Sequence, residues 1–399
     1  MEGGRSRLHL EPRSRLRFSR TRAPALPPGR RRQNSFGLLD PPHRRGERAR
    51  RRSAPGLGAG SVPAPLPGRE GAGAHDRAHD SFRDPHRARP GGTRKPQRWR
   101  AVVPASTSNL GPGFDSLGLA LRLSLQAVAA RIPSGFSIRR TGEGSELAVD
   151  PHRDSVLGAY RHLFRVAKEP VPTIALTIHS AIPIARGLGS SAAAIVAGLT
   201  LANHWMRERF STEELFREAI RLEGHPDNVA AALYGGLTLS LPLHDGSVRA
   251  LPLPMPRALA ITLAVPAIHV STAKARALLP RSIPLHEAAA NTARAMALGY
   301  VLSSGRFELL AEALRDVYHV PYRARLIPGF DGVVEAGRRA GAYGVTISGS
   351  GPTLLAFHPP GLGSRVGKAM VRAFTRRRIR AEAFPGRVAT NGAFASTLL

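Results

Sequence analysis

The 399-residue chain contains no cysteine. That absence excludes disulfides, thiolate zinc sites and thiol nucleophiles together, and it suits a protein of the cytosol. Long apolar runs are missing too. No stretch approaches the roughly 20 apolar residues that a bilayer-crossing helix needs, so no membrane span is expected. Acidic residues are scarce, 28 Asp and Glu against 58 Lys and Arg, which leaves a formal charge of +30. The excess is uneven: residues 1–100 hold 25 basic against 8 acidic side chains, and the remainder 33 against 20. Methionine is also sparse, with none between Met1 and Met206.

The first hundred residues are crowded with proline and glycine, as in the runs at 23–29 and 64–68, and show no apolar periodicity. Such a segment cannot bury enough surface to offset chain entropy, so residues 1–97 are expected to be a disordered tail. Three origins compete for it. Clusters such as Arg30-Arg31-Arg32 suit an arm that neutralises nucleic-acid phosphates. A transit peptide would be basic as well, but acid-poor and amphipathic, whereas this segment has scattered Asp and Glu and many prolines. The reading adopted is translated upstream DNA from a mis-set start, with Val102 or Val103 marking an alternative start codon.

The ordered part is organised around the stretch from Pro183 to Ala194, P-I-A-R-G-L-G-S-S-A-A-A. Before it, residues 173–180 alternate apolar and polar and read as a strand; after it, residues 192–206 read as a buried helix. Gly187 and Gly189 free the backbone to curl, and Ser190 and Ser191 are expected at the capping positions. Unpaired N–H groups and the positive end of the helix dipole would then meet an anion, of which phosphate is the natural choice. An ordinary loop before a capped helix explains the same pattern. No Lys follows the second glycine, so this is not a Walker A loop.

The string nevertheless resembles the ATP-phosphate loop of the GHMP kinase superfamily, whose members phosphorylate small metabolites such as galactose, homoserine and mevalonate. The resemblance implies ATP binding by Pro183, Ile184, Ala185, Arg186, Gly187, Leu188, Gly189, Ser190, Ser191, Ala192 and Ala193. Upstream, a strand at 100–103 leads into P-A-S-T-S-N-L-G-P-G-F-D, residues 104–115, read locally as a polar loop. This string is similar to the first GHMP motif in its homoserine kinase form, which implies that Asn109 and Asp115 hold the substrate. A carboxylate partner is what an ammonium group requires.

A helix over 155–167 is expected to be capped by Ser155 or Asp154, and one over 211–223 to open with a Ser211/Glu214 capping box. The latter ends in E-G-H-P-D-N-V-A, residues 223–230. Read alone, this is a glycine-ended helix, a proline turn and a new helix capped by Asp227, which leaves Glu223, His225 and Asn228 poorly explained. The same string is found in homoserine kinases. The likeness implies a magnesium site at Glu223 and Ser191, His225 toward the substrate carboxylate, and Asn228 at the reacting hydroxyl and γ-phosphate. Asp227 is the second catalytic candidate, as a general base, and ranks below Asn228 because phosphoryl transfer relies mainly on positioning and charge neutralisation.

Residues 252–256 read as a linker. A strand at 260–265 follows, then a short helix begun by Ser271 or Thr272 and carrying Arg276. Helices are expected over 285–302 and 306–318, and a last helix over 364–377 before a final strand. By the family likeness Arg276 and Arg323 grip a carboxylate, as a guanidinium fork does. Asp316 and His319 are expected to be structural. Two apolar strands flank Gly349-Ser350-Gly351, which resembles the third GHMP motif and brings Gly349 to the substrate.

The resemblance implies an α+β, two-domain GHMP kinase fold. The expected division is an N-terminal ribosomal-protein-S5-domain-2-like domain at 98–251 and a C-terminal ferredoxin-like domain at 257–399. It also implies phosphorylation of the L-homoserine hydroxyl with ATP and Mg2+. The small-molecule substrate is the expected partner, with no role for a membrane or nucleic acid, and a homodimer is an assembly open to the chain. Two readings stand against this: another small alcohol such as mevalonate or shikimate as acceptor, and nucleic-acid binding through the tail. If the start is mis-set, mass spectrometry of the native protein will find no peptide from residues 1–90; recovery of such peptides overturns that reading.

Overall fold

The computed structural model describes residues 97–146 and 150–398. The expected disordered tail therefore lies outside the described residues, apart from Gln97. In chain order the first half forms β1 (Arg98–Ser108), β2 (Leu117–Arg131), β3 (Ser137–Gly142), α1 (Ser155–Ala167), β4 (Ile174–Ser180), α2 (Ser190–Trp205), α3 (Thr212–Glu223), α4 (Asp227–Tyr234), β5 (Leu237–Pro242) and β6 (Val248–Leu253). There follow β7 (Ala260–Pro266), α5 (Thr272–Ala277), α6 (Leu285–Ser304), α7 (Leu310–Ala313), α8 (Val320–Arg323) and α9 (Phe330–Arg339). The chain then closes with β8 (Gly344–Ile347), β9 (Leu354–His358), α10 (Gly363–Thr375), β10 (Ala381–Gly386) and β11 (Phe394–Thr397).

Seven strands form the first sheet, in the order β11-β1-β2-β4-β3, with β5 pairing the start of β2 and β6 pairing β5. Its pairs are antiparallel except β3 with β4. β1 is longer than the strand expected at 100–103: Pro104 to Ser108 continue it, after a register shift between Pro104 and Ala105. The polar run there looks like loop, but β2 supplies its backbone partners. The last strand, read from sequence as part of the second half, pairs with β1.

The core beneath this sheet is built on α1 and α2. Asp154 caps α1 by accepting from the Leu157 amide at 2.8 Å, and α1 crosses α2 so closely that a Cβ on Gly198 would sit 2.1 Å from the Val156 carbonyl oxygen. The two tryptophans of the chain meet here. Trp99 is fully buried, meets Trp205 in a tilted pair at 5.0 Å between ring centroids and donates its indole N–H to the Leu201 carbonyl at 2.9 Å. Ser211 and Glu214 form the expected capping box at the start of α3.

The second sheet has the order β10-β7-β9-β8 and its pairs are antiparallel. With helices between β7 and β8 and between β9 and β10, this is the β-α-β-β-α-β arrangement of a ferredoxin-like fold. The helix expected over 306–318 does not form. Only a short 3-10 turn and α7 appear, because the Asp316 carboxylate accepts from the amides of Tyr318, His319 and Val320, while Asn291 accepts from the Val317 amide. Side-chain acceptors take the place of helical carbonyls.

Gly198→Ala tests the helix crossing. Alanine favours helix by about 1 kcal/mol, but overpacking against the Val156 carbonyl costs about 1–3 kcal/mol or more. Urea unfolding is expected to show net destabilisation, and equal or raised stability would contradict the close crossing.

Candidate active site

The glycine-rich loop is held from three sides. Gly187 has φ +73°, and a Cβ there would lie 2.2 Å from the Ser348 carbonyl oxygen. Gly189 has φ +69°, and a Cβ there would lie 2.1 Å from Ser106 Oγ. Only glycine fits either position, in conformation and in space. Backbone bonds fix the loop further: Ser106 N to Leu188 O at 3.2 Å, Thr353 N to Arg186 O at 3.4 Å and Val270 N to Ala185 O at 3.4 Å. Ser348 Oγ lies 2.7 Å from both Thr107 Oγ1 and Gly187 O.

The left-handed Gly189 takes the N-cap of α2 itself and makes no side-chain cap bond. Ser190 and Ser191, expected as caps, therefore form the first helical turn, where amides have no intrahelical acceptor. The Ala193 amide is already used on Gly189 O at 2.9 Å, and Ala192 and Ala193 are fully buried. Ala193 thus offers no polar group to a ligand. The recess beside the loop is lined by Ala185, Gly187, Leu188, Gly189, Ser190 and Ser191, whereas Pro183, Ile184 and Arg186 do not line it. Arg186 turns instead to the Ile268 carbonyl and His269.

Ala192 and Ala193 do not line the recess either, whereas the substrate, metal and catalytic candidates all do: Asn109, Asp115, Glu223, His225, Asp227, Asn228, Arg276, Arg323 and Gly349. Glu223 ends α3, where Gly224 turns the chain away at φ +87°. Ser191 Oγ donates to Glu223 Oε2 at 2.7 Å. Burial pushes the Glu223 carboxyl above its ordinary pKa despite that bond and nearby His225. A partly buried carboxylate beside a hydroxyl in the first turn of a helix is a donor pair that suits a magnesium ion, which takes one or two protein oxygens. No cluster of three or more His, Asp or Glu with metal-binding geometry occurs among the described residues, so the nucleotide phosphates would complete its shell.

Asp227 is the first helical residue of α4, with Pro226 before it at the cap position. Its Oδ1 accepts from its neighbour's amide, Asn228 N, at 2.7 Å and from His225 Nδ1 at 2.9 Å. Burial lowers the pKa of His225, but the hydrogen bond and charge of Asp227, with Glu223 and Asp115, outweigh it and hold the ring above its usual value. The Asn228 amide is clamped between two serines. Ser106 Oγ donates to Oδ1 at 2.9 Å, and Nδ2 donates to Ser108 Oγ at 2.8 Å. Ser106 and Ser108 escaped the sequence reading; their two-residue spacing on a strand is the signal that puts them on one face.

Asn109 leaves β1 at φ +68°, donates to Gly349 O at 2.9 Å and accepts from the Asp115 amide at 3.0 Å. Both ends of its side chain are occupied, so it ties the first motif to the third. Asp115 and Arg276, assigned from sequence to opposite ends of a substrate, pair with each other through two bonds of 2.9 Å. Arg323 is buried. It donates to Gly349 O at 3.0 Å, and its Nε finds no partner among the described residues. Burial and the neighbouring Arg276 lower its pKa to about 10.

Phe114, also missed in the sequence, supports both guanidiniums: its ring centroid lies 5.5 Å from Arg276 Cζ and 5.3 Å from Arg323 Cζ. Fully buried His319 stacks on the same ring at 5.5 Å. Burial lowers the His319 pKa; its Nε2 donates to the Gly111 carbonyl at 2.9 Å, and Nδ1 lies 3.4 Å from Arg323 Nη1. Two cations against one carboxylate leave positive charge for an incoming anion, while Asp115 answers a cation. A wider recess at the far end of α2, around Arg131, Phe164, Trp205 and Arg209, contains none of these residues.

An anion loop at a helix N-terminus, a carboxylate–hydroxyl pair and a site for a small charged molecule define a phosphotransferase acting on a metabolite. A model described as GHMP kinases N terminal domain matches residues 154–236, and one described as GHMP kinases C terminal matches residues 293–376. Homoserine kinase of Carboxydothermus hydrogenoformans is 40% identical over 293 residues, 73% of this chain and 95% of that one. A homoserine kinase of Thermus thermophilus is 43% identical over 258 residues, 64% of this chain and 86% of its own. A solved homoserine kinase from Cytophaga hutchinsonii superposes with a TM-score of 0.69 at 29% identity, covering 77% of this chain and 99% of that one. The chain belongs to the homoserine kinase family of the GHMP kinases.

Gly187→Ala tests the loop. A left-handed backbone and a 2.2 Å approach leave the new methyl no room. ATP affinity by titration calorimetry is expected to fall at least tenfold, about 1.4 kcal/mol, together with the melting temperature. Unchanged affinity would show that the approach does not shape the site.

Proposed function

We infer that this chain transfers the γ-phosphoryl group of ATP to the side-chain hydroxyl of L-homoserine, giving ADP and O-phospho-L-homoserine in threonine biosynthesis. The observation that carries this reading is the grouping of Asp115, Arg276 and Arg323 in one recess with the phosphate loop. An amino-acid zwitterion needs one carboxylate for its ammonium and guanidiniums for its carboxylate. Mevalonate and shikimate carry a carboxylate but no ammonium, and so leave Asp115 without a ligand partner.

In this reading the first-turn amides of α2 receive the ATP phosphates. Ser191 and Glu223 would hold Mg2+, which when bound neutralises charge on the β- and γ-phosphates. The zwitterion replaces the Asp115–Arg276 pair, its ammonium taking Asp115 and its carboxylate taking Arg276 and Arg323, with Asn109 and Phe114 fixing the positions of these groups. Asn228, locked by Ser106 and Ser108, meets the hydroxyl. The new bond joins that oxygen to the γ-phosphorus as the bond from the γ-phosphorus to the β,γ-bridging oxygen breaks, and the hydroxyl proton passes to an oxygen of the transferred phosphoryl group and from there to solvent. Both strong contacts of Asp227 lie within its own turn, which supports Asn228 over Asp227 as the group on the hydroxyl, and a loose transition state tolerates the lack of a strong base. Cysteine-free composition and the absence of any helix among the described residues long and apolar enough to cross a membrane support a cytoplasmic setting.

An assay of ADP release over a panel of homoserine, mevalonate and shikimate is expected to select homoserine, and no turnover of homoserine overturns the assignment. Asn228→Ala is expected to lower kcat by about 10²-fold or more, the range for loss of one positioned transition-state contact. Asp227→Ala is expected to leave kcat within about tenfold, on the view that positioning outweighs base catalysis. The reverse ranking would make Asp227 the catalytic base.

A further inference from the structure

Three polar side chains at the end of β1 and the start of α4 form a hydrogen-bond chain that runs in one direction. Ser106 Oγ donates to Asn228 Oδ1 at 2.9 Å, and Asn228 Nδ2 donates to Ser108 Oγ at 2.8 Å. An amide oxygen only accepts and an amide nitrogen only donates. Ser106 therefore uses its proton on Asn228, whereas Ser108 is obliged to accept and keeps its own proton free. No acceptor for that proton is found among the described residues.

The two serines also differ in place. Both are buried, but Ser108 lines the recess and Ser106 does not. The main chain of Ser108 is fixed, its carbonyl accepting from the Gly349 amide at 3.0 Å. Its Oγ lies at the seam between the glycine-rich loop and the turn joining β8 to β9: a Cβ on Gly349 would sit 3.5 Å from Ser108 Oγ and 3.1 Å from the Gly187 carbonyl oxygen. A buried hydroxyl proton left without an acceptor is costly. A group arriving in the recess is what can supply one.

We propose that Ser108 is a catalytic residue, its hydroxyl donating to a non-bridging oxygen of the γ-phosphoryl group as that group moves from ATP to the acceptor. This rests on the phosphoryl-transfer reading above and adds a contact to it. Chemistry selects the phosphoryl oxygen over the acceptor hydroxyl. The hydroxyl oxygen attacks phosphorus with a lone pair, and a donor bound to it would draw on that electron density. Until it leaves, the hydroxyl proton needs an acceptor of its own, which the second lone pair of Asn228 Oδ1 provides. A phosphoryl oxygen carries negative charge throughout the transfer and gains most from a fixed donor. Ser108 neither gives up nor receives a proton, so no bond to it forms or breaks. Ser106 acts through Asn228, holding the amide with Nδ2 toward Ser108, and is a positioning residue.

Titration calorimetry on the full chain with Mg2+ compares ADP with the non-hydrolysable ATP analogue AMP-PNP. It needs no acceptor substrate, so a wild type that binds AMP-PNP but turns over no homoserine sinks the homoserine assignment and leaves this test standing. Ser108→Ala is expected to weaken AMP-PNP binding by about tenfold, the size of one hydrogen bond to a charged group. ADP affinity should stay at the wild-type value, which also reports an intact fold. Ser106→Ala should lower kcat through Asn228 yet keep the wild-type ratio of the two affinities. Turnover supplies a second readout: in an Asn228→Ala background, Ser108→Ala should lower kcat by about a further tenfold, because a direct contact survives the loss of Asn228. Equal weakening of ADP and AMP-PNP, no change in either, or no further loss of kcat in that background overturns the proposal.

Discussion

At Gly187 and Gly189 the backbone lies so close to Ser348 and Ser106 that no side chain fits between them. The rest of the site depends on that contact. It seats the loop against the end of β1 on one side and against the turn between β8 and β9 on the other, so the first sheet, the second sheet and the start of α2 meet at one point. The unpaired amides of a helix N-terminus become a phosphate site only when something holds the preceding turn open. Here the hold is covalently distant chain, bonded through main-chain atoms and the Ser348 hydroxyl.

Charge in the recess is divided between two regions with different burial. Beside the glycine-rich loop, Glu223 is a partly buried carboxyl that accepts from Ser191, a setting that gains when a cation arrives. Elsewhere in the recess, Arg323 is buried with an incomplete set of acceptors, a setting that gains when an anion arrives. Asp115 and Arg276, both half-exposed, satisfy each other, and a zwitterion offers each of them a replacement of the same sign as the one given up. Those two charges are thereby kept solvated and paired, which limits the penalty of burying them.

The fold was legible where a pattern is local. The phosphate loop, the capping box of α3, the helix through Ser155 and the short strands around Gly349 follow from spacing within a dozen residues. The misreadings share a cause. Pro104 to Ser108 are polar enough to look like loop, yet β2 pairs with them; the stretch 306–318 has helical spacing, yet Asn291 and Asp316 take the amides of Val317 and Tyr318 at its end. In both places partners elsewhere in the chain outweighed intrinsic preference. The site was legible as a set of residues through its three motifs, but Ser106, Ser108 and Phe114, which aim Asn228 and the two arginines, carry no signature of their own.

The sequence by itself determined the chemistry available: glycines where the backbone must curl, a carboxylate and two guanidiniums for a zwitterion, no thiol anywhere, and motifs sufficient to place the chain in its family. Only the tertiary structure decided which groups touch. Asp115 faces Arg276 rather than standing apart from it, Asn109 spends both ends of its amide on the protein, Ala193 is drawn into the helix, and the last strand returns to pair with the first. The physical reason is range. Backbone conformation is set by neighbours a few residues away, whereas hydrogen-bond partners and burial are set by segments that close over more than a hundred residues of intervening chain.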